Sequence, residues 1–192
     1  LISNVSLRCR LEIVSGKSYA PLTALAYFNN GLSVSGVSLV NNQVTFKSSK
    51  PSVAKIKNNI LYAKDNGSYS LTVSLNSNPA LSSTESYVMS GIKKPKTNIT
   101  SVKSKKKKQI TVSWKNNIKN VTGYEIQYST SKKFTKKTTK TVTAKGKKAK
   151  SKTISKLKSK KTYYVRIRAY KNQSQDEKFY GKYSKTLKIK VK

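Results

Sequence analysis

Apolar and polar residues alternate at period two in short runs along the whole chain, with polar turns between the runs. In residues 5–14, Val5, Leu7, Cys9, Leu11 and Ile13 fall on one side and Ser6, Arg8, Arg10 and Glu12 on the other. That is the pattern of a half-buried strand. A second strand is expected over 22–28, ended by the turn Asn29-Asn30-Gly31; a third starts at Val44, passes a loop marked by Pro51 and leads to a short strand ending at Ile56. Further strands are expected over 60–64 and 69–75, separated by the turn Asp65-Asn66-Gly67, with Tyr69, Leu71, Val73 and Leu75 facing one way.

The second half repeats the pattern more sharply. Strands are expected over 99–102, 109–114, 123–129, 140–144, 151–157, 163–170 and 183–191, a spacing that suits a sandwich. No stretch carries a convincing helical period. The expected fold class is all-β, as two β-sandwiches in tandem over 1–92 and 99–192. Residues 93–98 are the expected linker, because Lys93-Lys94-Pro95-Lys96 places a proline where it disfavours both a helix and a central strand.

Two stretches carry family resemblances. Residues 44–56, with Val44-Thr45-Phe46 before Pro51 and Val53-Ala54-Lys55-Ile56 after it, are followed by Ile60-Leu61-Tyr62-Ala63 and Gly67-Ser68-Tyr69-Ser70-Leu71-Thr72-Val73. This series resembles the bacterial immunoglobulin-like repeats of surface adhesins and of intimin- or invasin-type proteins. In the second half, Thr111-Val112-Ser113-Trp114, Gly123-Tyr124-Glu125-Ile126-Gln127-Tyr128, Leu157 followed by Tyr163-Tyr164-Val165-Arg166-Ile167-Arg168-Ala169-Tyr170, and Gly181-Lys182-Tyr183-Ser184 together resemble a fibronectin type III domain. The resemblance implies that both sandwiches are immunoglobulin-like and that Trp114 is a core residue. It further implies that Tyr163 is a tyrosine-corner residue whose hydroxyl returns to upstream backbone. The lysine-rich form, with Ser129-Thr130-Ser131-Lys132-Lys133-Phe134, is similar to modules of low-GC Gram-positive surface proteins. A bacterial extracellular or cell-surface location is expected on that basis, and the chain is expected to be a segment of a longer precursor. No Arg-Gly-Asp tripeptide is present, so integrin binding is not implied.

Charge changes the picture most. The chain of 192 residues carries 41 Lys and Arg against six Asp and Glu, a net charge of +35. Residues 1–94 hold ten cations and three acids, whereas residues 95–192 hold 31 and three. An asymmetry of this size points to a partner of opposite sign. Hydrophobic residues are 35% of the chain, and no window approaches the roughly 20 apolar residues of a spanning helix. No membrane insertion is expected.

Absent groups narrow the chemistry. The chain has no histidine, the commonest general base and metal ligand, and one cysteine, so neither an intrachain disulfide nor a structural zinc site is expected. Cys9 reads as a small buried hydrophobe rather than a reactive thiol. Among the six carboxylates only Asp176-Glu177 are adjacent, and they are expected in a solvated loop. No phosphate-cradling glycine motif occurs. No enzyme activity and no cofactor are expected.

The lysines leave two readings open. As solvated side chains they discourage edge-to-edge association of strands, and the chain is then a non-catalytic spacer or adhesion module that works with other domains of its precursor. Alternatively the second domain binds an anionic cell-wall polymer or host glycan. Lys103, Lys105, Lys106, Lys107, Lys108, Lys145, Lys147 and Lys148 are then the expected contacts. Nucleic acid is disfavoured, because only four of the 41 cations are Arg, the residue suited to bidentate phosphate and base contacts.

Overall fold

The computed structural model describes residues 4–11, 19–29, 34–39, 42–115, 118, 121–174 and 177–192. The chain divides into two compact units, Leu1–Lys93 and Lys94–Lys192. Among the described residues every regular element is a β-strand.

The first unit contains β1 (Asn4–Leu11), β2 (Tyr19–Asn29), β3 (Val34–Leu39), β4 (Val44–Ser48), β5 (Ala54–Lys57), β6 (Ile60–Ala63), β7 (Gly67–Leu75) and β8 (Ser82–Met89). One sheet runs β1-β2-β6-β5 with β3 on β2, and the other runs β4-β7-β8. Long β2 joins the first sheet together: it pairs with β1 over Leu22 to Asn29 and with β6 over Tyr19 to Pro21. Lys57 pairs with Ile60, so Asn58 and Asn59 alone connect β5 to β6, at φ 51° and 53°. A two-residue hairpin of this hand needs both central residues left-handed, and Asn tolerates that conformation well. Leu22, Ala24 and Ala26 of β2 form the core with Val44, Phe46, Leu71 and Val73 of the other sheet.

Three strands of this unit differ from expectation. β1 is described only to Leu11, and the remainder of the expected strand, 12–14, lies outside the described residues. Cys9 stands opposite Ala24 in the β1–β2 register, but its side chain lies outside the described residues. β3 and β8 carry no clear apolar alternation; β8 joins the sheet through backbone pairing along β7, with hydroxyl contacts between Ser70 and Ser86 at 3.2 Å and Thr72 and Thr84 at 2.7 Å.

The second unit contains β9 (Ile99–Lys103), β10 (Ile110–Trp114), β11 (Gly123–Ser129), β12 (Thr139–Lys145), β13 (Ser151–Ile154), β14 (Thr162–Asn172), β15 (Lys178–Tyr180) and β16 (Leu187–Lys190). β13-β10-β9 form one sheet; β12-β11-β14-β15 form the other, with β16 also on β14. The inward residues of β10, β11 and β14, among them Ile110, Val112, Trp114, Tyr124, Ile126, Val165 and Ile167, make one buried core. Trp114 is 3% exposed and packs against Tyr124 at 5.2 Å between ring centroids. Its Nε1 has no hydrogen-bond partner among the described residues. The Lys158 N–H donates to the Tyr163 hydroxyl at 3.2 Å, the upstream backbone contact that a tyrosine corner requires.

The last strand, expected over 183–191, is regular only as β16 (Leu187–Lys190), and a further short strand, β15, precedes it at Lys178–Tyr180. A Cβ at Gly181 would overlap the carbonyl oxygen of Pro95, so the chain passes that point only as glycine. Between the two strands, the ladder with β14 continues through single contacts: the Ser184 N–H donates to Ile167 O at 2.7 Å, and the Ile167 N–H donates to Ser184 Oγ at 3.1 Å. Ile92, at the end of the first unit, is bonded to Asn66, and within the expected linker Thr97 Oγ1 donates to Lys115 O at 2.7 Å in the second unit.

Trp114→Ala is expected to cost about 3–5 kcal/mol in denaturant unfolding, as buried aromatic truncations do. Tyr163→Phe loses only the acceptor for the Lys158 N–H and is expected to cost about 1 kcal/mol. Gly181→Ala forces Pro95 to move and is expected to cost roughly 1–3 kcal/mol. Parent-like midpoints in all three contradict this packing.

Candidate functional site

The strand order of the second unit fixes where its lysines lie. Ile110 pairs with Ile154 and Ser129 with both Thr139 and Tyr164 towards one end of the sandwich. Ser113 pairs with Ser151, and Gly123 with both Lys145 and Tyr170, towards the other. The β9–β10, β11–β12 and β13–β14 turns therefore share the first end. Their backbones are tied together there: the Lys108 N–H donates to Lys192 O at 2.9 Å, and the Leu157 N–H donates to Lys108 O at 3.0 Å. Ser104 Oγ completes the junction, donating to Gln109 O at 2.8 Å and accepting from the Lys192 N–H at 3.0 Å.

Of the expected contacts, Lys103, Lys105, Lys106, Lys107 and Lys108 lie at this first end and are exposed. Lys145, Lys147 and Lys148 are exposed at the opposite end, where the Gly146 N–H donates to Thr122 O at 3.0 Å. Seven residues of β11 separate the ends, about 20 Å at roughly 3.3 Å per residue. That exceeds the ~8 Å screening length at physiological salt. The two groups do not form one site.

A different set of lysines converges. A hollow of about 620 Å³ opens between the β11–β12 and β13–β14 turns, lined by Lys137 and Lys140 from one and Lys156, Lys158 and Lys161 from the other. All five are exposed, and no carboxylate lines the hollow. Beneath them lie Tyr128 and Tyr163, 8% and 7% exposed, with ring centroids 6.2 Å apart. Burial, and then the neighbouring Tyr163, pushes the Tyr128 phenol above its ordinary range. The turns are braced by short contacts, Ser129 Oγ and Thr135 Oγ1 each lying 2.8 Å from Thr138 Oγ1, while Leu157 is buried as an anchor. Lys108, Lys156 and Lys160 hold φ values of 57°, 60° and 58° at this end, a conformation uncommon outside glycine and asparagine.

The outer face of the β11–β14 sheet is a second constellation. Arg168 donates to Glu125 Oε1 from Nε at 2.8 Å and Nη2 at 2.7 Å, and Tyr183 donates to the same oxygen at 2.9 Å. Arg166 donates to Gln127 Oε1 at 3.0 and 2.7 Å. The Arg166 guanidinium sits over Phe134 and Tyr183 at 4.1 and 4.0 Å from their centroids, and that of Arg168 over Tyr180 and Tyr183 at 3.7 and 4.6 Å. Rings and guanidinium groups thus satisfy one another. Tyr180 and Tyr183 are half-buried in this stack. Burial first, and then the bond to Glu125, raise the Tyr183 phenol well above its ordinary value.

Sequence reasoning missed Glu125 as the centre of this face, although its two-residue spacing from Gln127 matches that of Arg166 and Arg168 on the paired strand. Glu177, expected in a solvated loop, is buried at 8% exposure, because the backbone N–H groups of Gln173 and Ser174 fold back onto its carbonyl. Asp176 lies outside the described residues. Among the described residues no group of three or more His, Cys, Asp or Glu side chains could hold a metal ion. No helix among them is long and apolar enough to cross a membrane.

A two-sheet antiparallel sandwich with a tyrosine corner and a buried strand tryptophan defines the second unit as an immunoglobulin-like β-sandwich module. Residues 93–181 match the family model of the fibronectin type III domain, so this part of the chain is a fibronectin type III domain. Such domains are commonly non-catalytic spacer or adhesion modules of larger extracellular proteins. Comparison with curated proteins gives no match. Among solved structures, the chain is similar to the FN1-FN3 domains of chicken CNTN1 (17% identity, 95% of this chain and 66% of that one, TM-score 0.48). It is also similar to a structure described as a myokine (20% identity, 51% of this chain and 95% of that one, TM-score 0.39). A computationally redesigned β-sandwich protein matches at 21% identity over 51% of this chain and 86% of that one, with a TM-score of 0.35.

Tyr183→Phe removes one hydrogen bond and is expected to cost about 1 kcal/mol at neutral pH. The Tyr183 phenol is raised in the folded state, so its contribution is present in full below the unfolded phenol value of about 10 and is lost as pH rises beyond it. The gap between parent and Tyr183→Phe, measured by chemical denaturation, is therefore expected to shrink above that pH. A gap that widens there contradicts the assignment.

Proposed function

We propose that the chain is a non-catalytic spacer and adhesion segment of a larger bacterial surface protein, carrying its second unit as a cationic fibronectin type III domain outside the cell. The observation that carries this reading is how the domain uses its chemistry. Its described acid on the outer face, Glu125, is bound to Arg168 and Tyr183, and most of its aromatic rings are buried or stacked on arginine, with Tyr164 half-buried outside both groups. What stays available to a partner is charge, concentrated in residues 95–192. The lysine-rich resemblance to Gram-positive surface modules and the adhesin-like pattern of residues 44–75 support the bacterial setting. A net charge of this size also discourages edge-to-edge association of strands.

Antibody raised against residues 94–192 is expected to label intact, unpermeabilised cells of the source organism. Label that appears only after permeabilisation overturns the surface assignment. Replacing residues 94–192 in the precursor by a neutral fibronectin type III domain is expected to preserve display of the other domains while weakening attachment to anionic surfaces.

A further inference from the structure

We propose that the hollow lined by Lys137, Lys140, Lys156, Lys158 and Lys161 binds a linear polymer without bases that carries a phosphate or sulfate ester on its repeats. This deepens the adhesion reading and rests on it for its biological setting, whereas the binding chemistry stands on the geometry alone.

Five lysines line one concavity of about 620 Å³ with no carboxylate among the lining residues. Like charges gathered in a hollow repel one another, so this arrangement is costly without a counter-charge and is relieved by an anion. The volume falls within the usual ligand-site range of about 300–1,000 Å³. Backbone conformation points the same way. Lys156, in the hollow, and Lys108 and Lys160, at the same end, occupy left-handed conformations where asparagine or glycine would fit at lower cost.

The kind of cation selects the kind of anion. Ammonium groups on flexible stems act as point charges and suit tetrahedral oxyanions approached from several sides, while the planar fork of arginine suits fixed bidentate pairing. Both arginines of this unit are engaged on the outer face. The rings beneath the hollow, Tyr128 and Tyr163, are buried, so they offer no open face on which bases stack. Single-stranded nucleic acid binding relies on such faces. Baseless polymers, such as a polyol phosphate or a sulfated glycan, fit the site better. Thr130 and Ser155 place hydroxyl groups among the lysines, where they can donate to ester oxygens.

The test measures binding of the full chain to poly(glycerol phosphate), a sulfated heparin fragment, a carboxylate-only polyuronate and a single-stranded oligonucleotide across a salt series. The triple variant K156Q/K158Q/K161Q is expected to lose at least tenfold affinity for the phosphate or the sulfate polymer. Its salt dependence is expected to flatten by about two units of log–log slope, since each neutralised phosphate contributes roughly 0.7–0.9. K145Q/K147Q/K148Q, at the opposite end with the same charge removed, is expected to change affinity less than twofold. The tighter of the phosphate and sulfate arms identifies the source of the ester. Equal losses in the two triples overturn the proposal in favour of net charge. An oligonucleotide or polyuronate bound tenfold more tightly than both ester polymers also overturns it. All six positions are exposed, and matched unfolding midpoints keep the comparison free of misfolding. Antibody labelling of cells tests the surface reading separately, so either can fail without the other.

Discussion

The hydroxyl of Tyr163 accepting the Lys158 N–H is the constraint on which the chemistry of the second unit depends. The turn between β13 and β14 has few apolar residues to hold it: Leu157 is buried, and its neighbours are lysine and serine. Left to charge alone, Lys156, Lys158, Lys160 and Lys161 would push this turn into water and away from the lysines of the β11–β12 turn. The phenol anchors the backbone from inside the core, with its ring against Tyr128, and the ammonium groups are held in one concavity. A neutral contact fixes the position of a charged surface.

The two faces of the domain have divided roles. On the outer face of the β11–β14 sheet, acid, amide, guanidinium and phenol are matched one to another, with Glu125 holding Arg168 and Tyr183 while Arg166 holds Gln127. At the end formed by the β9–β10, β11–β12 and β13–β14 turns, cations are gathered without acids. The hydroxyl brace through Thr138 and the Ser104 junction spend neutral groups to keep that end in shape. This division explains how a domain with so large a net charge keeps a well-packed core, since repulsion acts at exposed ends where salt screens it.

Much of the fold was legible from period-two alternation. β10, β11 and β14 present Val112, Ile126 and Val165 inward with polar partners outward, and β11 occupies the expected residues 123–129. What alternation could not reveal were strands that bury little. β8 begins as serine, threonine and glutamate, with only Tyr87 and Met89 reaching the core and Val88 75% exposed, and it is a strand because β7 offers it a backbone ladder. The break between β15 and β16 comes from a close approach of Pro95 to Gly181, a contact between residues far apart in sequence. The candidate site was legible in composition and not in placement. Lysine runs at 103–108 and 145–150 are similar along the chain, yet one lies at each end of the sandwich because an odd number of strands separates their turns. Basic residues at 136–137 and 156–161 stand apart in the sequence, and only the adjacency of the β11–β12 and β13–β14 turns brings Lys137 and Lys140 across from Lys156 and Lys158.

The central claim is that one end of the fibronectin type III domain presents a defined oxyanion site rather than a diffuse positive field. Backbone amide shifts of the full chain, followed by NMR as a short poly(glycerol phosphate) is added at physiological salt, test this most directly. The account predicts the largest shifts in residues 137–140 and 155–161, saturating together, with residues 145–150 little changed. Shifts spread evenly over lysines at both ends, or centred on 145–150, would contradict it.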